Sequence, residues 1–406
     1  MERLKLYPTP KQAARLQFYL DVCRQLYNLA LEQRRDAWRH RRLKITHKIQ
    51  YGQLTELRRC DARVAAVYRE LQDAALHKLD LAFAAFFRRQ RNGKRAGFPR
   101  FRSAIRYNSL EFSHGNRALR FSCAQSKVTI PGVGTVRIRK GREVPAFGRA
   151  MIVRSPRGWY AMFECERSIR PLPSTHKAIG IDVGIATFYA TSEGSLAPHM
   201  RLAAKSAAAV ARRQRRVARR KRRGASRRKA VLLLARAYDN LRWARRDWHH
   251  KLSRALINAY DMMVLEQLVI ANMTRSARGS VEEPGSNVAA KAALNRAILD
   301  AGWRQFANML TAKAEEAGRR VLFVKAHYSS QTCALCGHVG AANRRSQSIF
   351  ECVGCGHIDH ADCNAAKVIL QRAELPPSGS GAEESDRDDL RSELSRARTT
   401  VAQCVA

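Results

Sequence analysis

The spacing Cys333-x2-Cys336-x15-Cys352-x2-Cys355 constrains this chain more than any other feature. Two CxxC pairs supply four thiolates, the ligand set of a tetrahedral Zn²⁺. Protein fills all four positions, so no place remains for a catalytic water, and the zinc expected here is structural. The spacing predicts a zinc ribbon over residues 328–358. The other six cysteines, Cys23, Cys60, Cys123, Cys165, Cys363 and Cys404, are scattered. Four clustered and six scattered cysteines fit a reducing compartment better than a disulfide framework.

A second kind of metal chemistry shows in the carboxylates. Asp182 lies inside Ala178-Ile-Gly-Ile-Asp-Val-Gly184. An acid within an apolar strand is costly unless a cation or a donor compensates it. Gly180 and Gly184 leave room beside it for a metal ion and a phosphate. Glu266 closes the strand Asp261-Met-Met-Val-Leu-Glu266 on the same logic. Asp362 stands at the start of a short helix over about 363–371, where an ordinary N-cap would serve as well. Three such acids at the ends of core elements are less easily explained by capping. If they converge, they can hold two Mg²⁺ or Mn²⁺ ions about 3.5–4 Å apart. Oxygen ligands suit these hard ions, which separates the acids from the thiolate cluster.

Charge names the partner. Seventy-five Lys and Arg face 34 Asp and Glu, a net +41. A surface facing only water mixes signs, so this excess calls for a polyanion. No apolar run reaches ~18 residues, and the N-terminus lacks an apolar signal core. The expected setting is the cytoplasm, in association with the nucleoid, with no membrane partner. Two stretches concentrate the charge. Arg88, Arg89, Arg95, Arg100 and Arg102 surround Gly93, Gly97 and Pro99 in a basic loop. Residues 212–229 hold twelve Arg or Lys, among them Arg212, Arg213, Arg216, Arg219, Arg220, Lys221 and Arg223. A block this dense repels itself unless phosphates screen it. Tyr7, Tyr27, Phe98 and Phe101 lie near basic residues and are read mainly as packing groups.

The pattern along the chain is mixed. Residues 1–10 predict a short strand, 11–38 a helix and 62–91 a second helix. From 105 to 170, short β-rich runs punctuated by Gly and Pro predict a small antiparallel barrel or sheet. Ala186–Thr191 is expected to return as the hairpin partner of the Asp182 strand. Residues 200–258 read as a long basic helical hairpin, 274–290 as a loop, and 294–318 as a helix with Leu299, Trp303, Phe306 and Leu310 on one face. Val321–Val324 is a further strand. Residues 372–406 carry few large apolar groups and read as a disordered tail.

The order Gly-Ile-Asp-Val-Gly-Ile (180–185), Val-Leu-Glu-Gln-Leu-Val-Ile-Ala-Asn-Met (264–273), the CxxC pairs and Asp-His-Ala-Asp-Cys-Asn-Ala-Ala (359–366) closely resembles the TnpB proteins of insertion sequences, relatives of the compact type V CRISPR nucleases. Leu-Tyr-Pro-Thr-Pro-Lys-Gln (6–12), Tyr27-Asn28 and Gly-Phe-Pro-Arg-Phe-Arg (97–102) extend the resemblance. Many relatives carry Asp-Arg-Asp where this chain has His360-Ala361-Asp362.

The resemblance implies an α/β plus all-β chain. Its RNase H-like RuvC nuclease domain (175–327 and 359–371) would carry the zinc ribbon as a target-nucleic-acid-binding insertion. A wedge β-barrel (1–10 and 103–174) with a helical recognition region (11–102) would precede it. It implies an RNA-guided double-stranded DNA endonuclease with a guide RNA from the transposon end; between monomer and dimer, which the sequence does not decide, a monomer is favoured. A short motif would be read beside the target, and Asp182, Glu266 and Asp362 would be the catalytic acids. The rival readings are a nuclease-inactive RNA-guided repressor, a DNA-joining transposase and a guide-free junction nuclease. Intact acids argue against the first. The second lacks a Tyr and His-x-His arrangement, and the large basic N-terminal half disfavours the third.

Overall fold

The computed structural model describes residues 2–374 apart from 95, 123–125, 140–143, 167, 281 and 326. The chain divides after Arg167 into two compact units.

In the first unit, β1 (Glu2–Tyr7) runs into α1 (Pro10–Arg41). The start of α1 is encoded locally. Thr9 and Gln12 exchange side chain-to-backbone hydrogen bonds of 3.3 and 3.0 Å, and Pro10 fills the first helical position. Three helices follow: α2 (His47–Cys60), the single turn α3 (Ala62–Ala65) and α4 (Arg69–Arg91). Helix α2 is absent from the sequence expectation. It buries only Gln50 and Leu54. Then come β2 (Ser109–Phe112), the single turn α5 (Gly115–Ala118), β3 (Arg120–Ser122), β4 (Lys127–Ile130), β5 (Gly134–Ile138), β6 (Phe147–Ser155) and β7 (Gly158–Cys165). They form a seven-stranded antiparallel sheet, ordered β2-β6-β7-β1-β5-β4-β3. Leu16, Tyr19, Leu20 and Cys23 of α1 share one core with Phe112, Ile152 and Phe163 of the sheet. Asn28 clasps the basic loop, donating to the Arg102 carbonyl (3.0 Å) and accepting from its N–H (2.8 Å).

The second unit is built on β8 (Ala178–Val183), β9 (Thr187–Thr191), β10 (Leu196–Pro198), β11 (Met262–Glu266) and β12 (Arg320–Val324). Their order is β10-β9-β8-β11-β12. Strands β8, β11 and β12 run parallel, while β9 and β10 return antiparallel. The basic hairpin is α6 (Leu202–Ala218) and α7 (Ala225–Ala259). After the short α8 (Ile270–Met273) come α9 (Val288–Ala301) and α10 (Trp303–Ala317). These two replace the single helix expected over 294–318. Gly302 breaks it with φ 68°, a left-handed conformation that glycine adopts without strain. The break turns Leu299 outward to 58% exposure, and Ile298 is buried in its place.

Alternation along the strands sorts the two faces of this sheet. Ile179 and Ile181 of β8 and Met263 and Leu265 of β11 join the core with Leu256, Ile257, Phe306 and Leu310. Gly180 faces the other way, toward α11 (Ala361–Glu374). A Cβ at Gly180 would stand 2.0 Å from the Ala366 carbonyl oxygen, so only glycine allows this approach. Helix α11 runs to Glu374, three residues into the segment expected to be tail. The rest of that segment lies outside the described residues.

Asp261, just before β11, ties the incoming chain down. Its carboxylate accepts from the Thr175 N–H and hydroxyl, the His176 N–H, the Ser174 hydroxyl and Arg319. The hydrogen bond from Ser174, followed by that from the Thr175 amide, lowers its pKa well below the ordinary carboxylate range.

Candidate functional site

The four cysteines of the ribbon meet. Their sulfurs all lie within 4.8 Å of one another, with Cys333–Cys355 at 3.7 Å and Cys336–Cys352 at 3.5 Å. A tetrahedron with arms of about 2.3 Å has edges of about 3.8 Å, so the spacing fits a zinc ion held by four thiolates. The fold of the knuckles explains the convergence. Gly337 and Gly356, both at positive φ, close tight turns whose N–H groups donate to the Cys333 and Cys352 carbonyls. Strands β13 (Ile349–Glu351) and β14 (Ile358–His360) brace the second knuckle.

The three acids come from three elements of the same sheet-and-helix layer. Asp182 lies on β8 and Glu266 ends β11, beside it. The parallel register pairs Leu265 with Ile181, so the next residues on the two strands are Glu266 and Asp182. Asp362 sits in the first turn of α11. Its carboxylate does not cap that helix. It accepts instead from the Thr187 hydroxyl at 3.1 Å and from Arg344 at 3.4 Å. As a residue Asp182 retains intermediate exposure, yet its carboxyl group lies deep among protein atoms. Burial raises its pKa well above the usual carboxylate range, the negative charges of Glu266 and Asp362 add to the shift, and Arg344 opposes it. Burial also raises Glu266, against a 2.6 Å hydrogen bond from Ser329 and the charge of Arg372.

Among the described residues, only the four thiols draw together within the 4.8 Å span of a single coordination sphere; the three carboxylates do not. A pair of ions about 3.5–4 Å apart needs a wider cradle than one ion does. The donor chemistry fits hard divalent ions: oxygen ligands only, with mutual repulsion that a cation would relieve.

Four residues around the acids escaped the sequence reading: Thr187, Ser329, Arg344 and Asn364. The first three reach the acids because the chain returns from other elements, whereas Asn364 lies on α11 with Asp362. Arg344, between the two knuckles, is the one with a sequence signal, as a cation inside the metal ribbon.

The basic stretches lie on the surface. Arg212, Arg213 and Arg216 of α6, and Arg219, Arg220, Lys221 and Arg223 in the turn after it, are all exposed. Arg212, Arg215, Arg216, Arg219 and Arg220 line an open groove of about 740 Å³. The spacing of Arg212, Arg215 and Arg216 puts them on one side of α6. In the first unit, Arg88, Arg89, Arg100 and Arg102 are likewise exposed, and Arg95 lies outside the described residues. The packing reading of the aromatics holds for buried Tyr27 and in part for Phe98. Tyr7, Phe98 and Phe101 each leave nearly half their surface exposed, although Phe98 also packs edge-on against Phe83 and Phe86. Among the described residues no helix is long and apolar enough to cross a membrane.

The fold and the two clusters thus define a strongly basic α/β protein with a thiolate zinc-type ribbon and an adjoining acid cluster. Three family models match it: a helix-turn-helix domain of the OrfB/IS605 type over residues 3–42, a model described as "Probable transposase" over 161–277, and a Cas12f1-like TNB domain over 303–369. The protein InsQ of Escherichia coli (strain K12), provisionally named an RNA-guided DNA endonuclease, is 30% identical over 91% of this chain and 90% of its own length. A protein of Streptomyces pristinaespiralis with the same provisional name is 29% identical over 98% and 93%. The chain belongs to the TnpB family. A solved Cas12f1–sgRNA–target DNA complex covers 92% of this chain and 98% of its own chain at 15% identity, with a TM-score of 0.35, a likeness too loose to transfer any feature.

Proposed function

We propose that this chain is an RNA-guided endonuclease for double-stranded DNA, hydrolysing phosphodiesters at Asp182, Glu266 and Asp362. The observation that carries the reading is the placement of Glu266 on the strand beside Asp182 and of Asp362 in the first turn of α11, so that two acids distant in sequence act on one buried carboxyl. The strand order supports an RNase H-like RuvC domain over 175–327 and 359–371, with the ribbon at 328–358 as the target-nucleic-acid-binding insertion. The seven-stranded sheet supports a wedge barrel over 1–10 and 103–174. Helices α1 to α4 support the helical recognition region at 11–102.

In this reading Asp182, Glu266 and Asp362 would hold Mg²⁺ or Mn²⁺. Such ions, when bound, supply a nucleophilic water and stabilise the leaving oxygen. The protein's part is positional. Thr187 orients Asp362 and Ser329 orients Glu266. Arg344 presents a guanidinium beside Asp362, where a phosphate entering the site would meet it. The arginines of α6 and of the 88–102 loop would bind guide RNA or heteroduplex by its backbone, while RNA–DNA pairing reads sequence beside a short duplex motif. The thiolate zinc holds the ribbon and takes no part in hydrolysis. A nuclease-inactive repressor is the alternative, and the intact acids speak against it.

Co-expression with flanking transposon-end DNA, followed by sequencing of the bound RNA, identifies the guide. A plasmid matched to that guide, with Mg²⁺, should then be cut. Asp182→Ala should bind the plasmid and cut it at least about a thousandfold more slowly, since metal-borne charge stabilisation is worth several kcal/mol. Unchanged cutting by that variant refutes the site.

A further inference from the structure

Helix α11 carries Asp362 at its start and holds the ribbon with the side chains that follow. Asn364, two residues on, is fully buried, and both ends of its amide are engaged. Its Oδ1 accepts from the Ala334 N–H at 2.9 Å, and its Nδ2 donates to the Thr332 carbonyl at 2.7 Å. Seven residues further, on the same side of the helix, Gln371 donates to the Ala334 carbonyl at 2.8 Å. Both backbone groups of Ala334 are therefore held by α11. Thr332 and Ala334 flank Cys333, so these bonds fix the first knuckle. The same short segment carries buried Ser329, whose hydroxyl donates to Glu266 at 2.6 Å. One stretch of ribbon, 329–334, thus grips the helix that bears one acid and the carboxylate of a second. On its other side α11 lies against Gly180, two residues from the third acid, with no slack to absorb a shift.

We propose, resting on the endonuclease reading, that Asn364 and Ser329 are positioning residues through which the cysteine ribbon sets the spacing of the acid cluster. The ribbon then does more than present a nucleic-acid-binding surface: its folded state is read by the acids. Asn364 transmits to Asp362 through the first turn of α11, and Ser329 transmits to Glu266 directly.

The test uses the full chain and three readouts: zinc content, amide hydrogen exchange over residues 361–366, and Mn²⁺ titration followed by electron paramagnetic resonance. Asn364→Leu keeps the side-chain volume and removes the hydrogen bonds. It should retain zinc, exchange faster over 361–366 and bind Mn²⁺ at least about tenfold more weakly, as expected when outer-sphere support of metal ligands is removed. Ser329→Ala should weaken Mn²⁺ binding similarly and leave exchange over 361–366 unchanged, which separates the two arms. Stripping zinc from the unmodified chain should reproduce both effects. Wild-type exchange and Mn²⁺ affinity in zinc-loaded Asn364→Leu overturn the coupling. If Asn364→Leu fails to fold, Ser329→Ala, which removes one oxygen, decides on the Mn²⁺ titration. If the unmodified chain shows no Mn²⁺ site sensitive to Asp182→Ala, the endonuclease reading falls. The exchange data then still decide whether Asn364 carries the ribbon's state into α11.

Discussion

The protonation of Asp182 depends strongly on its surroundings. Burial, then the charges of Glu266 and Asp362, raise its pKa above the unfolded value. A carboxyl shifted this way favours the fold while it is protonated. That contribution is complete below the unfolded pKa of about 3.9 and is lost as pH rises through the folded value. At neutral pH, without divalent ions, the fold is therefore less stable than it would be without this shift. Asp182→Asn should raise the melting temperature of the ion-free chain at pH 7–8 by a few degrees, at about 2–4 °C per kcal/mol for a unit of this size. Calorimetry should show the gain vanish near pH 4 and shrink when Mg²⁺ is added. Arg344 offers a second prediction. If its guanidinium meets the phosphate, Arg344→Ala should slow single-turnover cleavage about a hundredfold, the usual cost of one charge-stabilising donor. Target affinity in a filter-binding assay should stay close to wild type.

At the scale of elements, α6 is exposed along its arginine face, which suits a nucleic-acid backbone. Removing one arginine that neutralises a phosphate should reduce the slope of log affinity against log salt by about 0.7–0.9. Replacing Arg212, Arg216 and Arg219 with Ala should flatten the slope for bound guide RNA by about 2–3, and an unchanged slope would take α6 out of the interface. Elements differ in how far the sequence announces them. Strands β8 and β11 are legible because an acid interrupts an otherwise apolar run, and the ribbon because CxxC spacing is itself a geometry. Asp362 is ambiguous alone, since a helix start wants an acid for ordinary reasons. Thr187, Ser329 and Asn364 carry no local signal. Their partners lie between 30 and 175 residues away in sequence, a separation that only the completed fold closes.

For the whole molecule the governing quantity is a net charge of +41. Without a polyanion the positive groups repel one another, and salt screens that repulsion. The melting temperature of the RNA-free chain should therefore rise as NaCl increases from about 50 to 500 mM, a range over which the Debye length falls severalfold. A flat or falling profile in a fluorescence melt would show that local pairing already balances the charge.

The layout of the acid cluster also bears on when a newly made chain can become harmful to its host. Glu266 and Asp362 are 96 residues apart. A ribosome working at about 5–20 residues per second needs roughly 5–20 s to travel between them. During that interval the nascent polypeptide already displays its arginine-rich hairpin but has no third acid. Under the proposed endonuclease function, guide capture can begin on the ribosome, whereas cutting must await synthesis of α11. On the same proposal, a message truncated before that helix would yield a product that grips nucleic acid and is unable to break it.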